Sequence, residues 1–227
     1  MARSPERSLT LHRDGPTWLV YTQLSLFAYF LYAFAPTVTL LRDEEHIRDG
    51  VAGLHGTAYA IGVVVVGLLG ARIVTRMGRE RALWFFLAML CGAIAVYASV
   101  PVLPLTLLGA LLCGAAGSGV TITVAAALVA RHGDAGPAAV TEANALAAAA
   151  GLVGPLAVGG AVGLGYGFRP AIFVVVVLIG VLFAIRRLFR SPRPAVGDPT
   201  SADVPRPRPA PDVAVDHHRT EIGRAHV

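Results

Sequence analysis

The sequence predicts an all-α membrane protein with six transmembrane helices, and three observations carry that expectation. Of its 227 residues, 55% are hydrophobic and only 15% charged, against about 25% charged in soluble domains. Mean hydropathy is +0.65, and the stretch from Gly50 to Ile185 holds nine charged residues in 136. Six apolar runs follow one another, each near the ~20 residues that cross ~30 Å of hydrocarbon. Their connections are short, which makes neighbours antiparallel. Backbone groups in lipid are satisfied only within helices or closed barrels, and runs this long exclude barrel strands. The same composition disfavours an aqueous enzyme, a disordered chain and a disulfide scaffold.

The first run extends from Trp18 to about Leu41 and the second from about Val51 to Val74. The third covers Ala82 to Val100 and the fourth Leu105 to Ala130. The fifth runs from about Ala138 to Leu164 and the sixth from Ala171 to Ile185. The first is too long for the apolar region of a signal peptide, and Pro36 directly after Ala33-Phe34-Ala35 hinders cleavage there. Cys91 and Cys113 sit inside apolar runs and read as small buried hydrophobes. No metal or cofactor is expected.

All 19 basic residues are arginine, and their distribution sets an orientation. Arg3, Arg7 and Arg13 precede the first run, and Arg72, Arg76, Arg79 and Arg81 lie between the second and third. Arg131 follows the fourth, and Arg186, Arg187, Arg190 and Arg193 follow the sixth. The opposite loops hold Arg42 and Arg48 among four acids, and Arg169. The positive-inside rule therefore places both termini in the cytoplasm of a multi-pass inner or plasma membrane protein. The pI near 9.8 is then a matter of topology. Nucleic acid is not an expected partner; the lipid bilayer is.

The runs fall into two matched triplets: polar, small, greasy, then polar, small, greasy again. Runs one and four carry the intramembrane polar groups, two and five the glycines, three and six bulky apolar residues. Because three is odd, the second triplet is inverted relative to the first. Such a 3+3 inverted repeat is characteristic of secondary transporters. On the first run Tyr21, Ser25, Tyr29, Tyr32, Pro36 and Thr39 share one helical face. That stripe lines either a substrate pathway or a hydrogen-bonded helix contact. Ser25, Tyr29 and Tyr32, with Ser118 and Thr121 of the fourth run, are the candidate cavity residues. On the fifth run Ala143, Ala147, Gly151, Pro155, Gly159, Gly163 and Gly167 recur every four residues. They suit either static packing or a rocking interface.

Three stretches resemble the major facilitator superfamily of secondary transporters, over about residues 17–190. Ala71-Arg72-Ile73-Val74-Thr75-Arg76-Met77-Gly78-Arg79-Glu80-Arg81 is similar to the loop between the second and third helices of that family. The resemblance implies a tight turn at Gly78 and a cytoplasmic gating role for Arg76, Arg79 and Arg81; Thr75 stands where the family has Asp. Ala150-Gly151-Leu152-Val153-Gly154-Pro155-Leu156-Ala157-Val158-Gly159-Gly160 resembles the Gly-Pro motif of the fifth helix. It implies a packing motif of Gly151, Gly154, Pro155 and Gly159, with Val158 at a glycine position. Gly165-Tyr166-Gly167-Phe168-Arg169-Pro170 resembles the Gly-aromatic-Arg corner before the sixth helix. In the fourth run, Leu111 replaces an expected arginine. The resemblance implies the amino-terminal half of a twelve-helix, alternating-access transporter.

Titratable groups in or near the membrane are few: His55 at the start of the second run and Glu142 near the start of the fifth. Glu142, with Thr141 and Asn144, also reads as the polar first turn of a helix. The polar but uncharged aromatic stripe points to a neutral or hydrophobic small-molecule substrate, with drug efflux as one such activity. Residues 1–16 read as a cytoplasmic segment, 17–190 as the bundle and 191–220 as a disordered Pro/Arg-rich linker, with seven prolines between Ser191 and Pro211. Residues 221–227 resemble the translation of a sequencing adapter. The expectation is thus a chain whose carboxy-terminal six-helix half is missing. Two alternatives are a complete six-helix scaffold or homodimeric half-transporter, and an intramembrane serine protease using Ser118. The protease lacks a histidine at membrane depth after Ser118.

Overall fold

Asp14 starts the first helix: its carboxylate accepts the Thr17 amide at 3.0 Å, and Pro16 occupies the first turn, where a missing amide proton costs nothing. A computed structural model describes residues 11–99 and 101–188. The 191–220 and 221–227 segments, and residues 1–10, lie outside the described residues. Helix α1 covers Gly15–Glu45 and ends on His46 in the left-handed region, φ 53°. A single turn α2, Asp49–Ala52, precedes α3, Leu54–Met77. Then come α4, Arg79–Ser99, and α5, Leu103–His132. A 3-10 turn at Gly133–Ala135 leads into α6, Gly136–Gly163, and α7 covers Arg169–Leu188.

No strand occurs among the described residues. Five stretches are long and apolar enough to cross a membrane, of which Leu103–Gly163 comprises α5, the turn and α6. The helices outrun the apolar runs because polar flanks complete the terminal turns, which hydropathy does not register. At 31 residues α1 is about 46 Å long, more than the hydrocarbon thickness.

Ion pairs define the two ends of the bundle. At the arginine-rich end Arg13 bonds Glu142 at 2.8 Å, Arg131 pairs with Asp14, and Arg186 pairs with Glu80. At the opposite end Arg169 grips Glu44 through both terminal nitrogens, at 3.0 and 2.7 Å, and its Nε donates to the Ala98 carbonyl at 2.8 Å. One side chain thereby joins the first turn of α7 to the last turns of α1 and α4. The Gly165 and Gly167 corner that presents Arg169 has φ of 82° and 71°, angles open to glycine without strain.

Helix α5 is central, burying 14 residues, including the unbroken run Cys113 to Val120. Small side chains there admit neighbours on several sides. A Cβ on Gly114 would lie 2.0 Å from the Tyr59 carbonyl oxygen, and one on Gly62 2.0 Å from that of Leu111. The α3–α5 crossing is therefore made by two backbones in contact. Helix α1 makes its most extensive contacts with α6, and α5 with α3, followed by α4. Helix α4, greasy enough to read as a lipid-facing span, buries nine residues, from Ala82 to Ala98. Lipid and a protein core select the same apolar side chains, so composition does not tell them apart.

The strict four-residue series on α6 does not remain on one face. Four steps of four residues accumulate about 160° of drift. The buried stripe therefore runs Ala143, Ala147, Gly151, Gly154, Val158. Gly151 and Gly154 meet α1, where their Cβ atoms would lie 2.8 Å from the Tyr32 ring and 2.3 Å from the Tyr29 carbonyl oxygen. Gly159 is exposed, with nothing within 4 Å of a Cβ built on it, so it does not join that contact.

Candidate functional site

The polar stripe of α1 turns toward α6 and α7. At its start the Tyr21 hydroxyl donates to Glu142 Oε2 at 3.0 Å. Two turns later the Tyr29 hydroxyl donates to the Ala171 carbonyl at 2.9 Å, inside the first turn of α7. Tyr29 is thus held in a helix–helix contact. Tyr32, one turn further along, lies against Gly151 but remains 44% exposed. That exposure gives it access to a recess.

The recess lies between the bundle's middle and its arginine-rich end, with a volume of ≈ 160 Å³. Leu24, Phe27, Ala28, Leu31 and Tyr32 of α1 line it, with Thr121 of α5 and Asn144, Ala147 and Ala148 of α6. Its walls are apolar apart from three uncharged polar side chains, a hydroxyl on each of α1 and α5 and an amide on α6. Thr121 donates back to Ser118 and Gly117 carbonyls, at 2.9 and 3.1 Å, and Asn144 Nδ2 to the Val140 carbonyl at 2.9 Å. Phe27 is set beside α5 because Gly117 leaves room: a Cβ there would sit 2.2 Å from the ring.

Of the five candidate cavity residues, the recess therefore takes two, Tyr32 and Thr121. Ser25 is half-buried and does not line it. Ser118 is buried on the side of α5 nearest Gly67 of α3, its Oγ 3.9 Å from a Cβ built there. Asn144 is the lining residue that sequence reasoning passed over, having read it as part of a polar first turn. The missed signal was its spacing: Asn144, Ala147 and Ala148 stand at i, i+3 and i+4, one helical face.

Neither sequence-selected titratable group enters the recess. Glu142 accepts bonds from Arg13 and Tyr21 at the end of the bundle. His55 is fully buried at the other end. At the arginine-rich end the α3–α4 turn places Gly78 at φ 80°, and Arg76, Arg79 and Arg81 are exposed around it. Thr75, at the position of the family's Asp, returns its hydroxyl to the Arg72 carbonyl at 3.0 Å.

At the arginine-rich end Asp14 is the hub of a second network. It accepts from Thr17 Oγ1 at 2.6 Å and from Arg131 Nε at 3.1 Å, while Thr17 Oγ1 lies 3.0 Å from His132 Nε2. The Arg131 and Thr17 hydrogen bonds hold its carboxyl well below the usual carboxylate range. A carboxyl depressed on folding contributes stability above its unfolded value, and that contribution is lost as pH falls through the folded one. Acid destabilisation below about pH 4 is therefore expected to be shallower in Asp14→Asn than in the parent chain, with a lower melting temperature at pH 7. Thermal scans of both proteins in detergent check this, and superimposable acid limbs would contradict it.

These long apolar helices, tied by ion pairs at both ends, define a polytopic α-helical membrane protein. A family model described as Major Facilitator Superfamily matches residues 20–220, and the chain belongs to that family. Its activity is accordingly that of a secondary transporter rather than an enzyme. No curated protein matches the chain.

Proposed function

We propose that this chain is the amino-terminal six-helix half of an alternating-access exporter carrying a neutral or hydrophobic small molecule. The carrying observation is the recess: apolar walls with one hydroxyl each from α1 and α5, one amide from α6 and, among the described residues, no charged group. Such a lining suits a ligand that binds by burial and is oriented by a few hydrogen bonds. A polyanion would find no counter-charge in it.

The packing order supports reading the six helices as a 3+3 inverted repeat. The first helix of each triplet makes its largest contact with the second helix of the other, α1 with α6 and α5 with α3. A two-fold axis relating the two triplets would produce that exchange. With the arginine-rich end in the cytoplasm, the recess lies on the cytoplasmic side of the midplane, and a second six-helix half closes over it. The exposed Arg76, Arg79 and Arg81 around Gly78 then face that half as a cytoplasmic gate.

Export of Nile red, a neutral lipophilic dye, from cells producing the full-length transporter tests the reading. Tyr32→Ala and Asn144→Ala are each expected to slow export about tenfold, equivalent to ~1.4 kcal/mol of lost contact. Tyr29→Phe breaks the bond to Ala171 and is expected to cost about 1 kcal/mol of stability with export retained. Unchanged export in both recess variants, at parental protein levels, would overturn the assignment.

A further inference from the structure

At the end of the bundle opposite the arginine cluster, His55 is fully buried among groups from four helices. Its Nδ1 lies 3.0 Å from the Ala52 carbonyl oxygen, and its Nε2 lies 3.0 Å from Thr106 Oγ1. The same hydroxyl lies 2.7 Å from Glu45 Oε1. Helix α4 contributes the Tyr97 ring, edge-on at 6.3 Å, whose own hydroxyl is shared with Thr37 at 3.0 Å. The surrounding charges are already engaged: Glu44 by Arg169, and Asp43 and Asp49 by Arg42. Among the described residues no ion pair reaches Glu45, and its second oxygen is buried without a hydrogen-bond partner.

Counting protons along this chain shows what it holds. The Ala52 carbonyl only accepts, so Nδ1 carries a proton. Thr106 has one hydroxyl proton and two close neighbours, and carbonyls of its own helix are less close, Leu103 at 3.1 Å and Val102 at 3.4 Å. Both close contacts are hydrogen bonds only when one additional proton is present. In one arrangement it sits on Nε2, which donates to Oγ1, and the hydroxyl donates to ionised Glu45. In the other, Glu45 is protonated and donates to Oγ1, and the hydroxyl donates to bare Nε2. Two short transfers along Nε2···Oγ1···Oε1 interconvert them with the same net charge. Without that proton the hydroxyl serves one neighbour, and the other faces it lone pair to lone pair, where the His55 and Thr106 side chains are fully buried. A buried polar pair in that condition is costly.

We propose that His55, Thr106 and Glu45 form a one-proton binding site whose occupancy fastens the end of α1 to the first turns of α3 and α5. The site stands apart from the substrate recess and does not depend on the transport reading. A site that binds its proton more tightly folded than unfolded loses stability as pH rises through its discharge. Occupied, it ties α1 to the α3–α5 pair; empty, it loosens that tie while Arg169 still holds Glu44.

The full chain in detergent, with ring-¹⁵N-labelled histidine, tests this, and the His55 signals are identified by their loss in His55→Asn. As pH is raised, the His55 ring and the Glu45 carboxyl are expected to release one shared proton in a single step, with Nδ1 protonated throughout. The melting temperature is expected to fall by about 4 °C across that step. Glu45→Gln removes one of the proton's two seats and is expected to change the pH response of the His55 signals. Thr106→Val is expected to abolish the effect of Glu45→Gln on His55, and Thr106→Ser to restore it. A His55 signal that titrates identically in the parent, Glu45→Gln and Thr106→Val chains would overturn the proposal. So would a parent spectrum with Nδ1 unprotonated, which needs no variant to fold.

Discussion

Gly114→Val is expected to destabilise the bundle by about 3 kcal/mol, and Gly62→Val by a similar amount. At each position the added carbon would meet a carbonyl oxygen of the facing helix at 2.0 Å. That oxygen belongs to backbone, so no rotamer change relieves the clash, and α3 and α5 must move apart by about 1 Å before normal contact is restored. Separation costs the dispersion contacts along the whole crossing, which in lipid is much of what holds two helices together. The two substitutions act on one crossing and are not additive: a single separation relieves both, so the double variant should lose less than the sum. Gly159→Ala and Gly160→Ala provide the control. Nothing lies within 4 Å of either added carbon, and alanine is favoured over glycine in a helix by about 0.5–1 kcal/mol. Thermal unfolding in detergent of the four variants separates a packing role from a general intolerance of substitution. Equal losses at Gly114 and Gly159 would contradict the packing account.

Gln23→Leu is expected to stabilise the protein by about 1–3 kcal/mol. Gln23 is 1% exposed on α1, and among the described residues neither its amide nitrogen nor its amide oxygen has a hydrogen-bond partner. It occupies the inward face that continues through Phe27, Phe30 and Phe34, so leucine suits the surroundings in polarity. The gain arises from removing two unpaired polar atoms, and Gln23→Met should reproduce most of it. A melting temperature raised in both variants confirms the reading. A fall in both would mean that the amide makes a contact in the working protein that its neighbours within this chain do not supply.

Helix positions and their antiparallel sense were legible because hydrocarbon imposes a length and forbids unpaired backbone. The tight turn at Gly78 and the Gly165–Gly167 corner were anticipated only through the family resemblance, and the structure gives Gly78, Gly165 and Gly167 positive φ. The recess was only partly legible. The spacing of Tyr29 and Tyr32 put both on the striped side of α1, but the hydroxyl of Tyr29 finds the Ala171 carbonyl while Tyr32 borders open space. No pattern within α1 distinguishes them, because the difference lies in what α6 and α7 present. Asn144 escaped notice for the same reason. At its far end the four-residue series on α6 leaves the buried stripe, because a period of four drifts off a helix of 3.6 residues per turn.

The sequence by itself determined the solvent, the succession of helices and the grouping of arginines at one end, since each depends on composition and short-range spacing. Tertiary structure decided the rest. It made α4 a core helix, chose Gly154 over Gly159, and brought Glu45, His55 and Thr106 together across up to 61 positions. Those outcomes rest on which faces meet. In a bilayer many apolar faces are equally soluble, so the choice falls to close backbone approach at a few glycines and to polar groups that must find partners.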